Sequence, residues 1–234
     1  MKFQVKTNRF VLNQTKQQAY NTDTILLANY IKIPKNCQNI LDVGTGSGIL
    51  LLDLAMKTKA NIYGIEYQEN RYLQAKENIL LNNLNNQVEV IHGDFNNYQF
   101  NKKFDLIISN PPFFKVHNNE RLSHNEEDLI ARHEVALTLE SLIINVSKNL
   151  KNKGYFYMIH RPDRISEIIE LSKKNNMVVK KIKFIHPYLN KNANHVLITI
   201  LKNGNEGVIV EKPLILYEDK HQFTKEMLEI IGEF

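Results

Sequence analysis

The sequence predicts an α/β fold, with a seven-stranded, mainly parallel sheet and helices on both faces. Three observations lead there. Short β-branched or apolar runs alternate with longer segments of helical periodicity, the pattern of a sheet whose parallel strands are joined by crossover helices. A glycine-rich stretch, Gly44-Thr45-Gly46-Ser47-Gly48, lies where the first such run meets the first helical pattern. Acidic residues stand at or just past the ends of the first three runs, at Asp42, Glu66 and Asp94. Open α/β sheets bind ligands along that edge.

In order, residues 22–31 read as a helix with Thr22 or Asp23 as N-cap, and 39–43 as the first strand. A helix over 48–57 turns Ile49, Leu52, Leu54 and Ala55 inward. The second strand, 61–66, leads to a helix over 69–82 carrying Tyr72, Leu73, Ala75, Ile79 and Leu80. Its end runs into an Asn-rich turn, 82–86. Strands follow at 88–92 and 104–109, then a long helical pattern over 126–149. The last part of the core reads as strand 154–160, helix 164–175, strand 178–185 and strand 196–201. Beyond a turn at 203–207 come β-like runs at 208–210 and 214–217 and a closing helix over 224–231, capped by Thr224.

Composition narrows the class. At 234 residues, 43% apolar and 24% charged, the chain suits one domain with a sizeable core and not a disordered segment. Cys37 is its single cysteine, which excludes an intrachain disulfide or a cysteine-based zinc cluster and points to a reducing cytoplasm. No apolar run approaches the roughly 20 residues of a membrane helix, and the first ten residues lack the charged-then-apolar order of an export signal. The expected protein is cytoplasmic, with no membrane segment and no metal, and acts as a monomer. The net charge of +5 has two readings. It suits a nucleic-acid partner, and it also suits a genome rich in A and T, since 24 of 30 cations are lysine and asparagine occurs 30 times.

The glycine stretch is the most informative segment. Glycines let the chain turn tightly and let a ligand lie against bare backbone beside a helix N-terminus. A dinucleotide fingerprint would need glycine at 49, where Ile49 stands, and a phosphate loop would need a Gly-Lys-Ser/Thr ending. The G-x-G-x-G spacing behind Asp42 resembles instead the first motif of class I S-adenosylmethionine-dependent methyltransferases. Glu66, 18 residues after Gly48, suits a ribose diol because each carboxylate oxygen can take one hydroxyl donor. Asp94 is placed for an adenine amino group, and Asp42 for the methionine end of the cofactor.

Asn110-Pro111-Pro112-Phe113 follows the fourth strand directly and matches the Asn-Pro-Pro-aromatic motif of enzymes that methylate conjugated amino nitrogens. Such an amine is a poor nucleophile because its lone pair is delocalised. An Asn110 side-chain oxygen and a Pro111 carbonyl that each accept one N–H would hold the nitrogen toward sp3 geometry. Prolines keep that carbonyl rigid, and Phe113 would stack on a flipped base.

Taken together, the chain resembles the bacterial tRNA (adenine-N6)-methyltransferases that modify adenine 37 of valine tRNA. The likeness covers nearly the whole length: Asn8-Arg9-Phe10, Asn21-Thr22-Asp23-Thr24-Ile25-Leu26-Leu27, the glycine motif, Asn110-Pro111-Pro112-Phe113-Phe114 and Arg132-His133-Glu134. It implies a Rossmann-like methyltransferase domain over 1–234, with an extension over 1–37 that helps close the cofactor pocket, a core over 38–203 and an addition over 204–234. It implies S-adenosylmethionine held by Thr22, Asp23, Asp42, Gly44, Thr45, Gly46, Gly48, Glu66, Tyr67, Asp94, Phe95 and Asn110, with Asn110, Pro111, Pro112 and Phe113 catalytic. Phe113 departs from the tyrosine common in relatives. Similar tetrapeptides occur in guanine-N2 methyltransferases of ribosomal RNA and in glutamine methyltransferases of release factors, so these acceptors stay open beside a non-catalytic RNA-binding protein. Size favours tRNA: only 41 residues precede Asp42, and the domain is not duplicated. Candidate RNA contacts are Lys2, Lys6 and Arg9, then Lys115, Arg121, Arg132 and His133, and finally Lys180, Lys181, Lys183 and Lys191. A solvated lysine face is the competing reading of each cluster. His117 and His124 are spaced too loosely for a metal site.

Overall fold

A computed structural model describes residues 2–7, 9–15, 22–111, 137–219 and 222–232. It opens with an antiparallel hairpin, β1 (Lys2–Lys6) and β2 (Val11–Thr15), followed by α1 (Thr22–Tyr30). The alternating body is β3 (Asn39–Val43), α2 (Ile49–Lys57), β4 (Asn61–Glu66), α3 (Glu69–Leu81), β5 (Val88–His92) and β6 (Phe104–Ser109). It continues with α4 (Leu139–Asn149), β7 (Leu150–His160), a 3-10 turn over Pro162–Arg164, α5 (Ile165–Lys174), β8 (Met177–His186) and β9 (His195–Lys202). Two dipeptide strands, β10 (Ile209–Val210) and β11 (Leu214–Ile215), and a last helix, α6 (Lys225–Gly232), complete the described chain.

The sheet runs β10-β8-β9-β7-β6-β3-β4-β5, with β11 also on β8. Pairs β6/β3, β3/β4, β4/β5 and β6/β7 are parallel, and β9 is inserted antiparallel between β7 and β8. From β3 the chain builds outward first through β4 and β5, then on the other side through β6 and β7. That reversal at β3 is the topological switch point where such sheets open a ligand crevice.

Burial on both faces explains the near-continuous apolar strands. Along β3 and β6 alternate residues feed two cores. Ile40, Leu106 and Ile108 join Leu50, Leu51 and Leu54 of α2, whereas Leu41, Val43 and Ile107 join Leu142, Ile143 and Val146 of α4. Seven main strands agree with the expected number, and β10 and β11 arise within the β-like runs as small additions to the β8 edge. Of the helix expected over 126–149, residues 137–149 are described; Leu137 and Thr138 are not helical, and the helix begins at Leu139, where the extended Thr138 caps it by accepting from the Ser141 N–H.

The hairpin was not foreseen. Its second strand buries Leu12 in the core, and side-chain amides of α3 serve as that strand's hydrogen-bonding partner. Asn82 accepts from the Val11 N–H and donates to the Val11 carbonyl, Asn78 accepts from the Asn13 N–H, and Gln74 donates to the Asn13 carbonyl. These three residues recur every four positions, so they line one face of the helix. Asn82, expected only to end a helix, therefore also anchors β2.

Candidate active site

At the carboxyl end of β3 the chain turns sharply. Gly44 and Gly48 adopt φ of 75° and 84°, a region costly for other residues. A Cβ on Gly44 would meet nothing within 4 Å, so that side of the loop is open, whereas a Cβ on Gly48 would press to 3.2 Å on Ala75 of α3. The Gly44 and Thr45 N–H groups donate to the Ile65 carbonyl, tying the turn to β4.

Asp42 is 1% exposed. Its Oδ2 accepts from the Thr45 hydroxyl at 2.6 Å, and its Oδ1 has no partner among the described residues. Burial pushes the Asp42 pKa up to about 7, against the Thr45 hydrogen bond, with the Glu66 charge adding to the rise. Glu66 is 2% exposed, and its two oxygens accept from the Gly46 N–H at 2.8 Å and the Gln68 N–H at 2.9 Å. Each oxygen keeps a further lone pair. Tyr67, next in the chain, is 54% exposed, and its carbonyl accepts from His92 Nε2.

Asp94 shapes the turn after β5. Its oxygens accept from the Asn96 N–H and from Asn97 Nδ2, the ordinary turn-forming role of an aspartate. Phe95, expected at the cofactor, places its ring in the core beside Phe100. Gly64, inside β4, was not singled out from the sequence. A Cβ there would stand 2.7 Å from Thr45 Oγ1 and from Leu51 Cδ1, so the glycine makes room for the hydroxyl that holds Asp42. A glycine within a strand was the available signal.

On the other side of the switch point, the Ser109 hydroxyl donates to the Val43 carbonyl at 2.9 Å and fixes the end of β6 to the end of β3. Asn110 follows, half-buried, and its Nδ2 donates to Thr24 Oγ1 at 3.2 Å. Pro111 is buried. Helix α1 thus reaches the tetrapeptide through Thr24, one residue past the expected Asp23. Asp23 itself lies 3.6 Å from His195 Nε2 at the start of β9; burial raises its pKa and the histidine opposes the rise. Thr22 begins α1. Pro112, Phe113, Lys115, Arg121, Arg132 and His133 lie outside the described residues, as do Asn8, Asn21, Phe114, His117, His124 and Glu134.

A family model described as a methyltransferase domain matches residues 34–225. The tRNA1(Val) (adenine(37)-N6)-methyltransferase of Bacteroides thetaiotaomicron is 32% identical over 91% of this chain and 88% of that protein. The chain belongs to this methyltransferase family. The enzyme of the same name from Christiangramia forsetii is 28% identical over 98% of this chain and 96% of its own. Among solved structures, a predicted O-methyltransferase from Agrobacterium tumefaciens overlays with a TM-score of 0.68 at 21% identity, covering 91% of this chain and 96% of that one. That likeness bears on the fold alone.

The cofactor of this methyltransferase is S-adenosylmethionine, and the residues present fit it. The unpartnered Asp42 Oδ1 suits the ammonium of its methionine part, the open face at Gly44 admits it, and the spare Glu66 lone pairs suit its ribose. Among the described residues no group of three or more His, Cys, Asp or Glu is arranged for a metal, and no helix is long and apolar enough to cross a membrane.

The expected RNA contacts divide. Arg9 pairs at 3.1 Å with Asp53 of α2, a carboxylate with 0% exposure that Lys57 also meets. Lys181 pairs with Glu211 and Lys183 with Glu226, while Lys180 Nζ donates to the Asn205 carbonyl. These cations neutralise or cap groups of the fold itself. Lys191 is exposed in the connection from β8 to β9, at the carboxyl edge that also carries Asn110. Lys2 and Lys6 contribute their main chain to β1.

Proposed function

We propose that this methyltransferase transfers a methyl group from S-adenosylmethionine to the exocyclic N6 of adenine 37 in tRNA1(Val). The observation that carries this reading is the tie between β6 and β3: Ser109 holds the strand end that carries Asn110 and Pro111 beside the end of β3, where the glycine turn with Asp42 begins. When bound, the cofactor would supply an electrophilic methyl on a sulfonium, whose methyl–sulfur bond breaks as the new C–N bond forms to leave S-adenosylhomocysteine, so no strongly basic side chain is required. Asn110 Oδ1 and the Pro111 carbonyl accept the two N–H groups of the adenine amine and hold its lone pair out of conjugation. The proton released on methylation passes to water. Catalysis is then mostly positioning, worth several kcal/mol when reacting groups are held in line. Glu66 and Asp42 hold the ribose and methionine parts of the cofactor, Tyr67 flanks its base and Phe113 stacks on the target adenine.

The same reading treats residues 38–203 as the catalytic core, with 1–37 closing the pocket, and makes Lys191 the described cation best placed for tRNA phosphate. Incubation with methyl-labelled cofactor and tRNA transcripts is expected to place label in N6-methyladenosine. Label confined to guanosine or to protein would overturn the assignment. Asn110→Ala is expected to lower turnover by at least about a thousandfold, since it removes an acceptor aimed at the reacting nitrogen, with a much smaller loss of cofactor affinity.

A further inference from the structure

We infer that Thr24 is a positioning residue for the methyl-transfer step: it orients the Asn110 amide so that its oxygen, and not its nitrogen, meets the substrate. An asparagine side chain presents two donors on one side and an acceptor on the other, and rotation by half a turn exchanges them. Only the orientation with Oδ1 toward the acceptor nitrogen can receive an N–H; the reverse would set donors against donors. In the structure Asn110 Nδ2 donates to Thr24 Oγ1 at 3.2 Å, so the nitrogen faces α1 and Oδ1 is left as the acceptor for the substrate. Thr24 is 8% exposed, so little water competes for that bond.

The post on which Thr24 stands is rigid. Asp23 faces His195 at 3.6 Å, the Lys57 ammonium donates to the Ala28 carbonyl at 2.9 Å, and the Thr199 hydroxyl donates to the Tyr30 hydroxyl at 3.0 Å. Leu26 and Leu27 seal the helix against α2 and the core. Ser109 fixes the opposite partner by its bond to the Val43 carbonyl. Two anchored elements thus meet through the Asn110–Thr24 hydrogen bond at the reacting amide, the arrangement that locks a side chain in its productive rotamer.

This inference rests on the adenine-N6 reading, and Thr24→Val tests it because valine keeps the branched shape and removes the hydroxyl. Turnover is expected to fall about tenfold, the scale of one buried hydrogen bond, with cofactor affinity and melting temperature close to those of the parent. Thr24→Ser restores the hydroxyl and is expected to recover most of the turnover. In protein labelled with 15N-asparagine, the Asn110 side-chain amide protons should exchange with water faster in Thr24→Val than in the parent. Unchanged turnover in Thr24→Val, a loss seen mainly in cofactor affinity, or an unchanged exchange rate would each overturn the inference. A parent enzyme that methylates no adenine defeats the functional reading instead, and the exchange measurement still decides whether Thr24 orients the amide.

Discussion

The two halves of the crevice are held together differently. At the ends of β3 and β4, the carboxylates are fixed by near neighbours in the chain: Thr45 holds Asp42 from three residues away, and Gln68 and Gly46 hold Glu66 from two and twenty. At the end of β6, Asn110 is held by Thr24, 86 positions earlier, while the adjacent Asp23 faces His195 from late in the sequence. The first half is assembled within one β3-α2-β4 unit, once β3 and β4 have paired. The second exists only once α1 has docked on the finished sheet. Damage to the first half should therefore appear as lost cofactor affinity, and damage to the second as lost turnover.

Glu66→Ala tests that division most severely. It leaves two N–H groups beside a buried site without their acceptor, so the fold should lose about 2–4 kcal/mol and cofactor affinity should drop about a hundredfold, read by thermal melting and calorimetry. Cofactor affinity that survives the change would break the assignment of this half.

Asp42→Asn sharpens the contrast through pH. Because burial holds the Asp42 pKa near 7, above its ordinary 3.8, the folded chain binds this proton more tightly than the unfolded one. Its contribution to stability is complete below 3.8 and is lost as pH rises through about 7. The asparagine variant should accordingly melt about 5 °C higher than the parent at pH 8, with the difference shrinking toward pH 4. Cofactor affinity of the parent should rise as pH passes through 7, when the carboxylate that meets the ammonium ionises. The variant should bind more weakly and without that rise, and a parallel pH profile in both proteins would remove Asp42 from the ligand's charge.

The smallest effects are expected at the basic surface. Lys191→Ala should weaken tRNA binding two- to threefold at low salt and reduce the salt slope by about one. Lys183→Ala gives up only its pair with Glu226, worth about 0.2–1 kcal/mol, and should leave tRNA binding alone. Equal losses at both positions, measured by filter binding across a salt series, would erase the distinction between a cation at the carboxyl edge and one satisfied within the fold.

Much of the fold was legible because the physics that shapes it is local. Strands 39–43, 61–66, 88–92 and 104–109 coincide with β3, β4, β5 and β6, since strands buried on both faces advertise themselves as apolar runs between helical patterns. Strand β7 begins at Leu150, four residues before the expected start, because Lys151 to Lys153 are polar and the register with β6 shifts there. The β1–β2 hairpin escaped notice for a related reason. Its partner is a row of amides on α3, and nothing in its own alternation points to a helix. The sequence places Phe95 beside an acidic turn but does not say where its ring goes; the fold packs that ring against Phe100.

By itself the sequence determined the class of the protein, the order of its sheet-forming segments, the glycine turn with Asp42 and Glu66, and the presence of Asn110 at a strand end. These depend on periodicity and on contacts within one β-α-β unit, about twenty residues at most, which a linear text preserves. Only the tertiary structure decided which cations pair within the fold, since Arg9, Lys181 and Lys183 find their carboxylates through folding. It alone brought Thr24 to Asn110. Pairings of that kind form when secondary elements pack on one another, and their geometry is written in the distance between elements and not in the spacing of residues along the chain.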